Sequence, residues 1–215
     1  MDLKKTLSEQ IYEILRNDIL TQAIPCGSKL TLKILQERFQ VSSTPIREAL
    51  TRLTEEQLAS YYSNIGVSVV SLDERDVKEI YQFMWDLDSL AVSYASLYPD
   101  QEPILGELRE NLSLMDACGL SSPKWQDLSD RFHLIFYDYC QNSRLVHSAQ
   151  RMRSQMSILA YQYEKQAPKQ DLILNEHHMI FRLYEAGDHQ GAVAMMKEHL
   201  SHSLEFAREM LHSPA

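Results

Sequence analysis

Three histidines are the residues of this chain best suited to hold a metal ion. Of the eight histidines, His133, His177 and His199 fall on three different predicted helices, each beside apolar residues that should face a helical core. Neutral imidazoles that converge between facing helices are typical ligands of divalent transition metals. Taken one at a time, each histidine is more often a hydrogen-bonded core or surface residue, so the prediction depends on the helices that carry them.

Those helices are visible as apolar stripes at helical spacing from residue 73 onward. The first stripe includes Val77, Ile80 and Met84, and five more stripes follow along the chain. Proline, glycine and short polar segments separate the stripes, with almost no alternating β pattern between them. The sequence therefore predicts a mainly α fold in which residues 73–215 form an antiparallel bundle of about six helices.

Residues 1–72 have a different pattern, which predicts a winged helix-turn-helix. Thr6 and Glu9 have capping-box spacing before a first helix, Thr31 precedes a short second helix, and Pro45 lies at the start of a third. Two β-prone runs then flank residues 63–66, which have the composition of a hairpin turn. In such a domain the amino end of the third helix enters the DNA major groove, and the hairpin reaches a neighbouring groove or the backbone.

Charge is distributed unevenly between these two parts. Residues 1–72 contain eight Lys or Arg and eight Asp or Glu, so the whole net charge of −9 belongs to residues 73–215. A DNA-binding domain without net charge can still present a basic face, but its affinity for DNA should be modest and salt-sensitive. The absence of a membrane-length apolar run or a signal-peptide pattern, together with three widely spaced cysteines, predicts a cytoplasmic protein with reduced thiols and no membrane partner.

The segment from Leu30 to Leu53 resembles the DNA-binding domain of the GntR family of regulators. Its centre, VSSTPIREAL at residues 41–50, is close to the family's run Val-Ser-Arg-Thr-Pro-Val-Arg-Glu-Ala-Leu. The departures are Ser43, where the family usually has Arg, and Ile65, where it usually has a basic residue at the wing tip. The resemblance implies contacts to base edges and phosphates from Lys33, Ser42, Ser43, Thr44, Arg47, Arg52, Asn64 and Gly66.

The remaining residues resemble the FCD ligand-binding domain of the fatty-acid-regulator-like branch of this family. The matching residues are Phe132-His133, Asn142, Glu176-His177, Ile180, Gly187-Asp188, Ala192 and His199-Leu200. In metal-binding members, three such histidines and an Asp one helical turn before the first bind the ion, which implies a divalent transition metal of the Zn or Ni class here. The Asp position is Ser129, and Asp130, about 100° away around the helix axis, is the candidate substitute. Without a metal, the three histidines could instead donate hydrogen bonds to an anionic effector.

The same resemblance implies a pocket for a small-molecule effector. The branch often places a carboxylate-binding Arg on the first helix of this domain, and the aligned residue here is Met84, which argues against a simple organic acid. The candidate lining residues are Tyr81, Met84, Asp88, Ser129, Tyr137 and Arg151.

The predicted function is therefore an effector-responsive transcriptional regulator, a repressor by the commoner outcome in the family. It would bind a double-stranded DNA operator as a homodimer, because two-fold proteins match palindromic sites. Two alternatives stay open at this point. The chain could be a ligand-binding module with weakened DNA binding, or a metalloenzyme that uses the three-histidine centre.

Overall fold

The computed structural model describes residues 5–63, 66–118, 124–163 and 167–212, and the chain divides into two compact units between Asp73 and Glu74. Each unit is described by itself. Together the described residues form nine α-helices and one two-stranded antiparallel sheet. The predicted class, a winged helix-turn-helix followed by a helical domain, is confirmed.

The first unit contains three helices and a hairpin. The elements are α1 (Leu7–Leu20), α2 (Leu32–Phe39), α3 (Ser43–Glu55), β1 (Ala59–Tyr62) and β2 (Gly66–Val69). Thr6 caps α1 in a capping box with Glu9, and Thr31 caps α2 through the Ile34 amide. The left-handed backbone of Gln40 (φ 54°) ends α2 and allows the tight turn into α3.

Packing in this unit fixes the direction of α3. Its buried side chains, Ile46, Leu50 and Leu53, follow helical spacing, and the helix packs against α1. The hairpin pairs Ala59 with Val69 and Tyr62 with Gly66, and a further bridge joins Lys29 to Ser68. The opposite face of α3 therefore stays exposed beside the hairpin.

The second unit is a bundle of six helices. These are α4 (Glu74–Ala95), α5 (Glu102–Ala117), α6 (Trp125–Tyr139), α7 (Ser143–Tyr163), α8 (Ala167–Glu185) and α9 (His189–His212). Helix α4 packs against α6, α7 and α9, and α8 packs against α9. The turn between α8 and α9 uses Gly187 at φ 78°, and the Asp188 side chain accepts the Gly191 amide at 2.9 Å. Among the described helices, none is long and apolar enough to cross a membrane.

Candidate metal centre and DNA-reading face

The second unit brings the three predicted histidines to one buried point. His133 comes from α6, His177 from α8 and His199 from α9, and each is at most 4% exposed. The Nε2 atom of His133 lies 3.3 Å from the Nε2 atoms of both His177 and His199. One ligand atom from each residue lies within 4.8 Å of those of the other two. Within the described parts of the chain, this is the one such group of three potential metal ligands.

Each imidazole is held in its orientation by a different contact. The Nδ1 atom of His199 lies 2.8 Å from Glu176 Oε2, and that of His133 lies 2.9 Å from Asp88 Oδ2, where the geometry is not aligned as a hydrogen bond. The ring of His177 stacks on Phe132 at 4.2 Å, and its Nδ1 atom has no hydrogen-bond partner in the described structure. Two of the three rings therefore direct Nδ1 at a carboxylate and Nε2 at the cluster.

A buried ion pair adjoins this histidine cluster. One Arg153 nitrogen lies 2.8 and 2.6 Å from the two oxygens of Asp88, and the Tyr137 hydroxyl donates to Asp88 at 2.6 Å. Burial alone would raise the pKa of Asp88, but the charge of Arg153 and the contact with His133 hold it well below its ordinary value. Asp88 is therefore an ionised carboxylate inside the bundle.

The electrostatics of the cluster favour neutral imidazoles. Burial, together with the charge of Arg153, lowers the pKa of His133 to about 4. Burial also lowers the pKa of His177 well below its ordinary value, and the neighbouring histidines add to the effect. At neutral pH these two rings carry no extra proton, which is the form that binds a metal ion.

The predicted fourth ligand is directed elsewhere. Asp130 accepts a hydrogen bond from Ser157 at 3.4 Å and lies 3.6 Å from Arg153, so its carboxylate faces α7 and does not belong to the group of converging ligand atoms. Ser129, one turn before His133, is 4% exposed. The group of converging ligand atoms therefore consists of His133, His177 and His199.

The structure separates one residue from the other predicted effector-pocket residues. Arg151 lies on the exposed face of α7, beside Arg144 and His147, whereas five of the six candidates are buried in the bundle: Tyr81, Met84, Asp88, Ser129 and Tyr137. The buried arginine of α7 is Arg153, which the sequence interpretation missed. Its spacing from the buried residues Ala149 and Met156 was the available signal, since a charged residue on an apolar stripe must find a buried partner.

The first unit presents its predicted DNA-contacting residues at one end of α3. Ser42, Thr44 and Arg47 are exposed, as is Lys33 in the first turn of α2. Ser42 makes no capping hydrogen bond to α3, so its hydroxyl can donate to a phosphate. Neither Lys33 nor Arg47 forms an ion pair with a described residue, and Arg47 in particular does not pair with Glu48 or Glu55.

A cleft of about 650 Å³ lies between α3 and the hairpin. Arg47 and Thr51 line it from α3, and Tyr61 and Gly66 line it from the hairpin. Tyr61 is 72% exposed, an unusual position for a large ring. The sequence interpretation missed Thr51 and Tyr61, although Thr51 lies one turn after Arg47 and so shares its face.

One predicted DNA contact, Arg52, stands apart from this face. The Arg52 guanidinium lies 3.8 Å from the centre of the Tyr12 ring and 3.5 Å from Glu56, about 140° around the helix axis from Arg47. Arg52 therefore packs onto α1 within its own unit. Asn64 and Ile65 lie outside the described residues.

Comparison with known proteins gives matches over both units. Residues 7–69 match the model of "Bacterial regulatory proteins, gntR family", and residues 79–202 match the FCD domain. The regulator YdhC of Bacillus subtilis, itself uncharacterized, is 27% identical over 207 residues, 94% of this chain and 91% of that protein. The repressor GlaR of Escherichia coli is 27% identical over 157 residues, 71% of this chain and 70% of that protein.

Solved structures show the same fold. The chain matches Escherichia coli McbR/YncC with a TM-score of 0.77 at 20% identity, over 96% of this chain and 99% of that one. A putative GntR regulator from Rhodococcus gives a TM-score of 0.73 at 18% identity, over 97% and 99%. The matched family consists of bacterial regulatory proteins, and the relatives YdhC and GlaR are named transcriptional regulators, so the comparisons support the predicted regulator and not the metalloenzyme alternative. The chain belongs to the gntR family of bacterial regulatory proteins, in the branch that carries an FCD domain.

Proposed function

We propose that this regulator is a repressor whose helical domain binds a divalent transition metal at His133, His177 and His199 and, together with it, a small effector. Binding there would bias the arrangement of two reading domains in a homodimer and so change operator affinity. The observation that carries the proposal is the convergence of three buried Nε2 atoms in a chain with an exposed DNA-reading motif. A repressor that meets its operator in a bacterial cell acts in the cytoplasm.

The spacing of the cluster fits a metal ion. Nitrogen ligands that lie about 2.0–2.1 Å from zinc at tetrahedral angles are about 3.3–3.4 Å apart. Two of the Nε2 separations are 3.3 Å. Imidazole ligands suit Zn²⁺ and Ni²⁺ alike, so the proposal names the class and not the ion.

The hydrogen-bonding pattern gives a second argument. The Nδ1 atom of His199 lies 2.8 Å from Glu176, and a proton on that atom leaves the unshared electron pair of Nε2 facing the cluster, 3.3 Å from His133 Nε2. A metal ion at this point would accept that electron pair and would supply a Lewis-acidic position for an oxygen atom of the effector.

Direct binding of an anionic effector by the three histidines is the second candidate. It is less well supported, because each imidazole whose Nδ1–H faces a carboxylate has no second proton for the effector. A chain that binds effector after thorough chelator treatment would favour this candidate.

Recognition of DNA would depend on few positive charges. Arg47 and Lys33 are the exposed cations of the reading face, and the hydroxyls of Ser42 and Thr44 flank the amino end of α3, where anions are stabilised. Gly66, Thr51 and Tyr61 extend the face across the cleft to the hairpin. We therefore expect specific but salt-sensitive binding.

A stripe along α4 and the turn that follows it supports a homodimer. Phe83, Leu90, Tyr94 and Leu97 are 37–78% exposed, and their spacings of seven, four and three residues form a seam of the kind that pairs two helices. A second copy of the chain is the proposed occupant. Sedimentation analysis should find a dimer for the natural chain and a monomer for Leu90→Glu, and an unchanged dimer would place the interface elsewhere.

The direct test of this function is binding to DNA from upstream of the chain's own gene, with and without added Zn²⁺ or Ni²⁺. We expect a specific shift at low salt whose midpoint changes on metal addition, and no metal response in His177→Ala. The absence of any shift, with or without cell-extract metabolites, would contradict a regulator that acts at that promoter.

A further inference from the structure

Glu176 is a buried carboxylate that contacts two histidines at once. Its side chain on α8 is 4% exposed, its Oε2 atom lies 2.8 Å from His199 Nδ1, and its Oε1 atom lies 2.5 Å from His202 Nδ1. The two histidines are three residues apart on α9 and therefore share one face of that helix. The side chain of His202 is 42% exposed, whereas that of His199 is 4% exposed.

We propose that Glu176 is a positioning residue for the histidine cluster, because its carboxylate holds His199 in the Nδ1–H form and links that ring to the half-exposed His202. This inference rests on the proposed metal site for its consequence, although the positioning itself exists in the metal-free chain.

The proton arrangement follows from the chemistry of the acceptor. An ionised carboxylate only accepts hydrogen bonds, so both imidazoles must present N–H groups to it at Nδ1. With its proton on Nδ1, the His199 ring has its unshared electron pair on Nε2, the atom 3.3 Å from His133.

The opposite arrangement would block the cluster. With the proton on Nε2, His199 would direct an N–H group at the point where three ligand atoms converge and could not bind a metal there. Outer carboxylates of this kind typically change metal affinity by about 10–100-fold when they are removed. Glu176 is thus expected to set the affinity of the site without touching the ion.

The sharpest substitution is Glu176→Gln, which keeps the shape and offers one carbonyl oxygen to two N–H donors. One of the two histidines must then change its proton arrangement or lose its hydrogen bond. Asp116→Asn is the matched control. Asp116, on α5, pairs at 2.9 Å with His178, which lies on the same helix as Glu176 but outside the cluster. His202→Ala is the second variant, and it leaves the Glu176 contact with His199 in place.

The measurement is the ring-nitrogen spectrum of the full-length, chelator-treated chain, labelled with ¹⁵N in histidine, followed by titration with Zn²⁺. We expect the Nδ1–H form of His199 in the natural chain, in Asp116→Asn and in His202→Ala. In Glu176→Gln we expect a mixture or the Nε2–H form, and Zn²⁺ affinity about 10–100-fold lower than in the control.

Two results would overturn the inference. One is an Nε2–H form of His199 in the natural chain, which needs no variant and so stands even if Glu176→Gln fails to fold. The other is an unchanged proton arrangement in both His199 and His202, with unchanged Zn²⁺ affinity, in folded Glu176→Gln. If the proton arrangement changes as expected but no variant and no natural chain binds Zn²⁺, the positioning role is supported and the proposed metal site fails.

Discussion

The two units place their candidate functional side chains in opposite environments. In the first unit Lys33 and Arg47 are exposed and lie within one short stretch of sequence. In the second unit the three histidines are buried and come from helices as much as 66 residues apart in the chain. A substitution on the reading face should therefore alter DNA affinity and leave the fold intact, whereas a substitution near the cluster should alter stability as well as binding.

The largest expected effect is on stability in the second unit. Asp88→Asn removes the buried carboxylate that pairs with Arg153 and leaves only the more exposed Asp130, 3.6 Å away, and breaking a buried pair costs about 3–5 kcal/mol. The free energy of unfolding by urea measures the loss. Asp138→Asn is the matched control, because Asp138 pairs with Arg131 at the surface, where such pairs contribute about 0–1 kcal/mol. Equal losses in the two variants would contradict the contrast between buried and exposed charge.

A substitution on the DNA-reading face should have a smaller energetic effect, which should appear as a loss of DNA affinity. Arg47→Ala should remove the bidentate base contact that we propose for Arg47. Such contacts are typically worth about 1–3 kcal/mol of discrimination, so specific operator affinity should fall by about 5–150-fold. The midpoint of urea unfolding should stay as in the natural chain, because Arg47 forms no ion pair with a described residue. Unchanged affinity for the operator in an anisotropy titration would mean that another residue reads the bases.

Arg52→Ala, on the same helix, should slightly lower the free energy of unfolding and leave operator affinity almost unchanged. The variant loses the contact of Arg52 with the Tyr12 ring, worth about 0.5–1 kcal/mol at an exposed site, and should bind operator within about twofold of the natural chain. A loss of operator affinity as large as that of Arg47→Ala would mean that Arg52 contacts DNA. It would contradict the view that only the side of α3 with Arg47 faces DNA.

The contrast between a local exposed motif and a buried cluster also explains which site residues could be predicted from the sequence. The centre of the DNA-reading face is one local run, VSSTPIREAL at residues 41–50, so the family resemblance of that run identified Ser42, Thr44 and Arg47 together. The three histidines could be named from their helices and from the family resemblance. Their supporting contacts could not, because Asp88, Arg153 and Glu176 meet the cluster only through packing of α4, α7 and α8, which no local pattern encodes.

Two of the predicted site residues, Arg151 and Asp130, lie away from the cluster, and in both cases the packing of the helix decides where the side chain points. Arg151 and Arg153 are two residues apart, and the rotation of α7 that exposes the first and buries the second depends on its contacts with α4 and α9. Asp130 lies near the face of His133 but contacts Ser157 and Arg153 on α7 instead. In both cases the residue type was right for the chemistry, and the direction of the side chain decided its role.

Metal stoichiometry in variants at two neighbouring positions tests whether the buried histidine cluster binds a metal ion. His177 and His178 are neighbours on α8, one within the cluster and one paired with Asp116 at the surface. After exposure to Zn²⁺ and removal of the free ion, the natural chain and His178→Ala should retain about one equivalent. His177→Ala, if folded by circular dichroism, should retain less than about a tenth. Less than about a tenth of an equivalent in the natural chain would contradict the account.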